Sequence, residues 1–151
     1  MIYQRISACL SIFMTRFINN YRYDVWMKSE YRQYLPHDLG RKAEEAVRFA
    51  LSHRGFREVA RNYSVPRIGE LDLVFMREDS LYIIEVRLRK SGGNFGTPAD
   101  SVRPIKRNRI YAAARIFIEK NGLSRYDIVF WAACVCYGKM NERFSIKIVP
   151  F

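Results

Sequence analysis

The chain has 151 residues, 49% of them hydrophobic and 27% charged, with a formal net charge of +11 at pH 7. That length and balance describe one domain with a real apolar core, and exclude a disordered chain or two full domains. A positive surplus this large favours polyanionic partners, nucleic acid before acidic membrane surfaces, although solubilising surface charge accounts for part of it.

Cys9, Cys134 and Cys136 do not make a disulfide framework, and with only His37 and His53 beside them no zinc pattern can be assembled. An odd count of thiols argues for a reduced compartment, here the cytoplasm, with the thiols buried and inert.

The first stretch, "MIYQRISACLSIFM", has an early Arg and a short apolar run, the outline of a signal peptide, but no small-residue cleavage site follows. Ile2, Ile6, Leu10, Phe13 and Phe17 fall on one helical stripe, as in an interfacial amphipathic helix. The run between Arg5 and Arg16 is too short to span a bilayer, which takes about 20 apolar residues, so no stable membrane insertion is expected. The favoured reading is a flexible extension over residues 1–36, one that a later start at Met27 would largely omit. Within it, residues 21–36 interleave Tyr and Trp with Arg and Lys, a composition that suits base stacking or a plain solvated arm.

An α/β domain is expected over residues 37–151. Asp38 can cap a helix in which Ala43, Ala46, Val47 and Ala50 form one apolar stripe and Gly55 supplies the stop. Glu45 points away from that stripe, whereas Glu44 lies at its edge, beside Val47 and Leu51. A strand follows in "REVARNYSV", then two more in "ELDLVFM" and "LYIIEVRL" joined by the turn-like "REDS".

Alternation puts Glu70, Asp72, Val74 and Met76 on one face of the first of these two strands, and Leu81, Ile83, Glu85 and Arg87 on one face of the second. Pairing Met76 with Leu81 then sets Asp72 opposite Glu85, and Glu70 opposite Arg87. The second pair is favourable. The first is repulsive, and a divalent cation between the carboxylates turns the repulsion into coordination. Mg²⁺ suits such a place, because it needs few protein carboxylates and keeps water and phosphate as its other ligands.

"RKSGGNFGTPADS" is a glycine-rich loop without the Gly-Lys-Ser/Thr of a Walker motif. The helix after it carries Ile110, Ala113, Ala114 and Phe117 on one stripe, with Lys106 at the start of that inward face and Arg103, Arg107 and Arg109 around it. Together with Arg89 and Lys90, these three arginines are the candidate phosphate contacts. "RYDIVFWAACVCYG" and "RFSIKIVPF" close the domain as strands, the first apolar enough to be central.

Asp on one strand of a hairpin and Glu-x-Arg on the next resemble the core of the PD-(D/E)XK nuclease superfamily, which has Glu-x-Lys there. More closely, residues 40–130 resemble the YraN-like family of small bacterial proteins. The matching segments are "GRKAEEAVRFALSHRGF", "ARNYSVPRIGELDLV", "LYIIEVRLRKSGGNFGTPADSV", "IKRNRIYAAARIFI" and "RYDIVFWA". That family is similar in fold to Holliday-junction-resolvase-like nucleases.

The resemblance implies a restriction-endonuclease-like, three-layer α/β fold with a mixed central sheet flanked by helices. It also implies an endonuclease or phosphodiesterase, dependent on Mg²⁺ or Mn²⁺, acting on DNA, branched DNA included. By position, Asp72, Glu85 and Glu44 would be metal ligands, Glu70 a neighbouring acid, and Arg87 would stand at the superfamily's lysine. Arginine keeps the charge there but is never deprotonated, so it cannot be a base. Lys106, from the inward stripe of its helix, is the further candidate for the chemistry. Two other readings stay open: a weak or inactive nucleic-acid-binding protein that keeps the fold, and a protein-interaction module whose charge only solubilises. A homodimer also stays open.

Overall fold

The computed structural model describes residues 10–17, 20–27, 39–89, 102–138 and 143–151. The elements run β1 (Leu10–Phe17), β2 (Asn20–Met27), α1 (Leu39–Ser52), β3 (Arg57–Val65), β4 (Gly69–Arg77), β5 (Ser80–Arg89), α2 (Pro104–Asn121), β6 (Asp127–Gly138) and β7 (Arg143–Pro150). All strands join one sheet in the order β1-β2-β7-β6-β5-β4-β3. Only β5 and β6 pair in parallel; the other neighbours are antiparallel. A parallel pair needs a crossover, and α2 supplies it.

Helices α1 and α2 lie on opposite faces of this sheet. On one face Ala43, Ala46, Val47, Ala50 and Leu51 of α1 pack with Leu73, Phe75, Ile84, Val135, Phe144 and Ile146. On the other, Ile110, Ala113, Ala114 and Phe117 of α2 pack with Val74, Met76, Leu81, Ile83, Ala132 and Val149. The expected stripes of both helices are thus the buried ones, and the result is a three-layer α/β arrangement around a mixed sheet. Small alanines at the contacts let each helix approach closely, and each fully buried Leu or Ile beneath them adds about 1.5–3 kcal/mol. Helix α1 ends where expected: Gly55 takes φ 77°, and the Phe56 amide closes back onto the Leu51 carbonyl.

The start of the chain differs both from the flexible extension and from the amphipathic helix expected of it. Ile2 and Ile6 lie outside the described residues, while Leu10, Phe13 and Phe17 fall in strand β1. That strand pairs with β2 from Leu10↔Met27 to Phe17↔Asn20, and β2 lies along β7 from Tyr21↔Ile148 to Trp26↔Arg143. An apolar run of this length fits both periods, and pairing with β2, itself laid along β7, goes with the extended one. The aromatic and basic residues 21–27, read as part of an arm, therefore belong to the sheet. Among the described residues, no helix is long and apolar enough to cross a membrane.

Candidate active site

Strands β4 and β5 pair in the expected register, Met76↔Leu81 through Leu73↔Ile84, and the ladder ends there. At the next position the Asp72 side chain intervenes, its Oδ2 accepting the Val86 amide N–H at 2.8 Å. Across β3 the ladder also skips this position: Arg61↔Leu73 and Tyr63↔Leu71 flank Asn62, which takes φ 47°. Asp72 is therefore where β4 parts from β5, with its carboxylate filling a place that a backbone carbonyl would take in a continued sheet.

That parting removes one expected contact. Glu70 and Arg87 do not form the cross-strand pair that strict continuation of the register predicts. Glu70 instead sits across from Ser64 of β3, and Arg87 lies beside Cys134 of β6. A cross-strand pair needs Cβ atoms about 5 Å apart, and diverging strands cannot supply that.

Glu85 is 3% exposed, and among the described residues it is the buried charged side chain. It shares a face with Leu81 and Ile83, whose aliphatic side chains offer its charge no partner. The offset comes from Lys106, whose Nζ donates to Glu85 Oε1 from the first turn of α2. Burial first, and then the negative charge of Glu85, push the Asp72 carboxyl up to about 7, while the Val86 amide and the Lys106 ammonium act in the opposite sense. Two carboxylates thus share one ammonium in a poorly solvated place. At neutral pH the trio is short of positive charge.

Those residues fit a divalent cation of the kind that takes two carboxylates and fills its other positions with water and phosphate oxygens. Asp72 and Glu85 would hold it. Among the described residues, no group of three or more His, Cys, Asp or Glu side chains is placed to hold a metal. Glu44 accordingly does not complete a triad with them. It is half-buried on α1, the helix of the opposite sheet face.

A cleft of about 720 Å³ opens above Asp72, between the β3–β4 turn and the start of α2, with Glu70, Arg67, Arg103, Lys106 and Arg109 on its walls. The two sides come very close at one point: a Cβ on Gly69 would stand 2.9 Å from the Arg109 carbonyl oxygen. The turn closes through the Ile68 amide onto the Val65 carbonyl at 3.0 Å, with Arg67 at φ 64°. A glycine is usual at that position of a turn that begins with Pro, and another residue there costs about 1 kcal/mol or more. This strained arginine was not picked out from the sequence, where Pro66–Gly69 reads as a simple link. Its signal was the Pro-Arg pair in a tight turn without glycine at the left-handed position.

The other candidate cations divide. Arg103 and Arg109 are exposed in the cleft. Arg107 is tied down: its Nε donates to the Val102 carbonyl at 3.0 Å and its guanidinium lies over the Phe151 ring at 5.6 Å. Burial pushes the Cys134 thiol above its ordinary value, and the charges of Arg89, Arg87 and Lys147 around it act the other way. That row extends the positive surface across three strands on the sheet face of Glu85. Lys90 lies outside the described residues, as does Cys9, and neither Cys134 nor Cys136 forms a disulfide with a described residue.

The uncharacterised protein family UPF0102 matches residues 43–131, a span that holds Asp72, Glu85, Arg87 and Lys106. Curated relatives match over most of their own length and over 61–75% of this chain. A UPF0102 protein of Nitrosococcus oceani is 39% identical over 97 residues, which cover 61% of this chain and 77% of the relative. One of Hahella chejuensis is 40% identical over 97 residues, 61% of this chain and 76% of the relative. One of Dictyoglomus turgidum is 36% identical over 113 residues, 75% of this chain and 94% of the relative.

Proposed function

The chain belongs to the uncharacterised protein family UPF0102, and from that premise we propose that it is a metal-dependent phosphodiesterase of the PD-(D/E)XK kind, acting as an endonuclease on DNA, branched DNA included. The observation that carries this reading is the meeting of Asp72 and Lys106, which line a cleft walled by arginines, with the buried Glu85. A protein that only bound phosphates would have no use for two half-neutralised carboxylates at the centre of its positive surface.

Each side chain has a task that its position supports. Asp72 and Glu85 would hold Mg²⁺ or Mn²⁺, which when bound polarises the scissile phosphate and lowers the pKa of a water. Arg103 and Arg109 draw the backbone into the cleft as phosphate contacts. Lys106, already beside Glu85, supplies the mobile ammonium that position 87 lacks, and offsets charge developing on the phosphorus oxygens. Arg87 contributes fixed positive charge and no proton transfer. The products would be the two ends of one broken P–O ester bond, with water's oxygen on the phosphate. Cys134 and Cys136, outside any disulfide among the described residues, go with a cytoplasmic setting.

A second reading has its own support. Arginine at position 87, and the lack among the described residues of a third acid placed to share a cation with Asp72 and Glu85, favour a nucleic-acid-binding protein that keeps the fold without the chemistry. One panel separates the two: single-stranded, duplex and branched DNA and RNA, with Mg²⁺ or Mn²⁺, beside an Asp72→Asn control. Cleavage that needs the metal and falls by about 100-fold or more in the variant supports the enzyme. Binding without cleavage, with no divalent cation taken up in calorimetry while nucleic acid is present, overturns it in favour of the binder.

A further inference from the structure

Resting on the nucleic-acid reading above, we propose that the cleft between the Val65–Gly69 turn and the start of α2 receives a single unpaired nucleotide. The substrate class is then nucleic acid with a single-stranded stretch, in preference to uninterrupted duplex. Size is the first argument. About 720 Å³ is the scale of a pocket that encloses one small molecule, which suits one nucleotide and leaves no room for stacked base pairs between the walls.

The chemistry of the walls is the second argument, because it is divided as a nucleotide is divided. Arg67, Arg103 and Arg109 offer cations to phosphate, while Ile68 and Ile105 offer aliphatic surface to a base. Ile105 is 73% exposed, the highest value among the exposed large apolar side chains described, and it stands directly after Pro104 at the helix start. An aliphatic side chain on the rim of a phosphate-attracting cleft is placed to pack on an unstacked base, as apolar wedges do in other nucleic-acid complexes. Arg67 is the third argument. A guanidinium is kept on the cleft wall at φ 64°, where glycine would relax the turn. Asp72 lies in the same cleft and Lys106 beside it, so a phosphate next to the seated nucleotide comes to the acids.

Fluorescence anisotropy in EDTA tests this without any chemistry, using the full chain and three dye-labelled DNAs: a single strand, a blunt duplex of the same length, and that duplex with an unpaired tail. The parent should bind the single strand and the tailed duplex about ten-fold more tightly than the blunt one. Ile105→Ser and Arg67→Gly should each weaken those two by roughly five- to ten-fold and the blunt duplex by about two-fold or less. Both positions are exposed, and glycine suits the left-handed turn, so circular dichroism should show both variants folded. Equal binding of blunt and tailed duplex by the parent, or equal losses on all three DNAs in the variants, overturns the unpaired-nucleotide site and leaves nucleic-acid binding standing. Failure of the parent to bind any of the three overturns the function itself.

Discussion

Two clusters of partly buried charge lie within this small domain, and they are built on opposite plans. At the junction of α1 and β3, Arg48 reaches Glu45 at 2.6 Å and Glu58 at 3.1 Å, and Arg61 closes the square with contacts of 3.4 Å to Glu45 and 3.7 Å to Glu58. Two cations meet two anions. On the other sheet face Asp72 and Glu85 share Lys106 alone, and Asp72 is left with a carboxyl pushed up to about 7. The first cluster is neutral and joins a helix to a strand. The second holds negative charge in excess under a positive surface, which makes it a receptor for a cation and a phosphate rather than a clamp.

The largest test of that contrast is the pH dependence of stability in EDTA. Asp72 binds its proton more tightly when folded, with a pKa of about 7 against an ordinary 3.8. Its favourable contribution is therefore complete below about pH 4 and is lost as pH rises towards and through 7. The loss amounts to at most about 4 kcal/mol by pH 8. Asp72→Asn should remove that slope, and the variant should be more stable than the parent at pH 8. Urea unfolding of both proteins at pH 5 and pH 8 measures it, and a parent whose stability is the same at both would break the comparison.

Lys106→Met sharpens the contrast from the other side. It leaves two carboxylates without their ammonium, at an expected cost of about 2–3 kcal/mol at pH 8, below the usual figure for a broken buried pair because Lys106 is half exposed. At pH 5 the loss should be smaller, since Asp72 then carries a proton. Equal losses at the two pH values would mean that Lys106 serves Glu85 alone.

The smallest effect belongs to the balanced cluster. Arg48→Met leaves Glu45 and Glu58 partly hydrated and still facing Arg61, so about 1–2 kcal/mol is expected. Divalent-cation binding, followed by calorimetry, should not change. A change in Mn²⁺ affinity in this variant would show that the two clusters are coupled through the sheet.

Much of this was legible in the sequence because it is written in hydrophobic period. The stripes at Ala43, Ala46, Val47 and Ala50 and at Ile110, Ala113, Ala114 and Phe117 each have one solution as helices, and both are buried as read. The Met76↔Leu81 register follows from alternation and a short link, and it brings Asp72 towards Glu85. Alternation is blind to where a ladder stops, however. Whether Asp72 continues the sheet or caps the Val86 amide depends on how the strands diverge, so the Glu70–Arg87 pair was expected and is not formed. The strand at Leu10–Phe17 was missed because it pairs with β2, which joins the sheet only along β7, from the far end of the chain. Arg67 was missed because its one mark in the sequence, the Pro-Arg pair of a short link, is weak beside the hydrophobic period on either side.

The hairpin that brings Asp72 to Glu85 closes between Arg77 and Ser80, whereas Lys106 comes from 21 residues beyond Glu85 on the crossover helix. Contacts between near neighbours in the chain form sooner than those between distant ones. In time, then, the acids should meet before the base arrives, and their repulsion opposes zippering at the hairpin's open end. Docking of α2 relieves that repulsion in the same step that buries Ile110 and Phe117. Completion of the site should in this way follow the order of folding: a chain whose crossover helix has not docked is expected to hold the acids slightly apart, with the three groups assembling late.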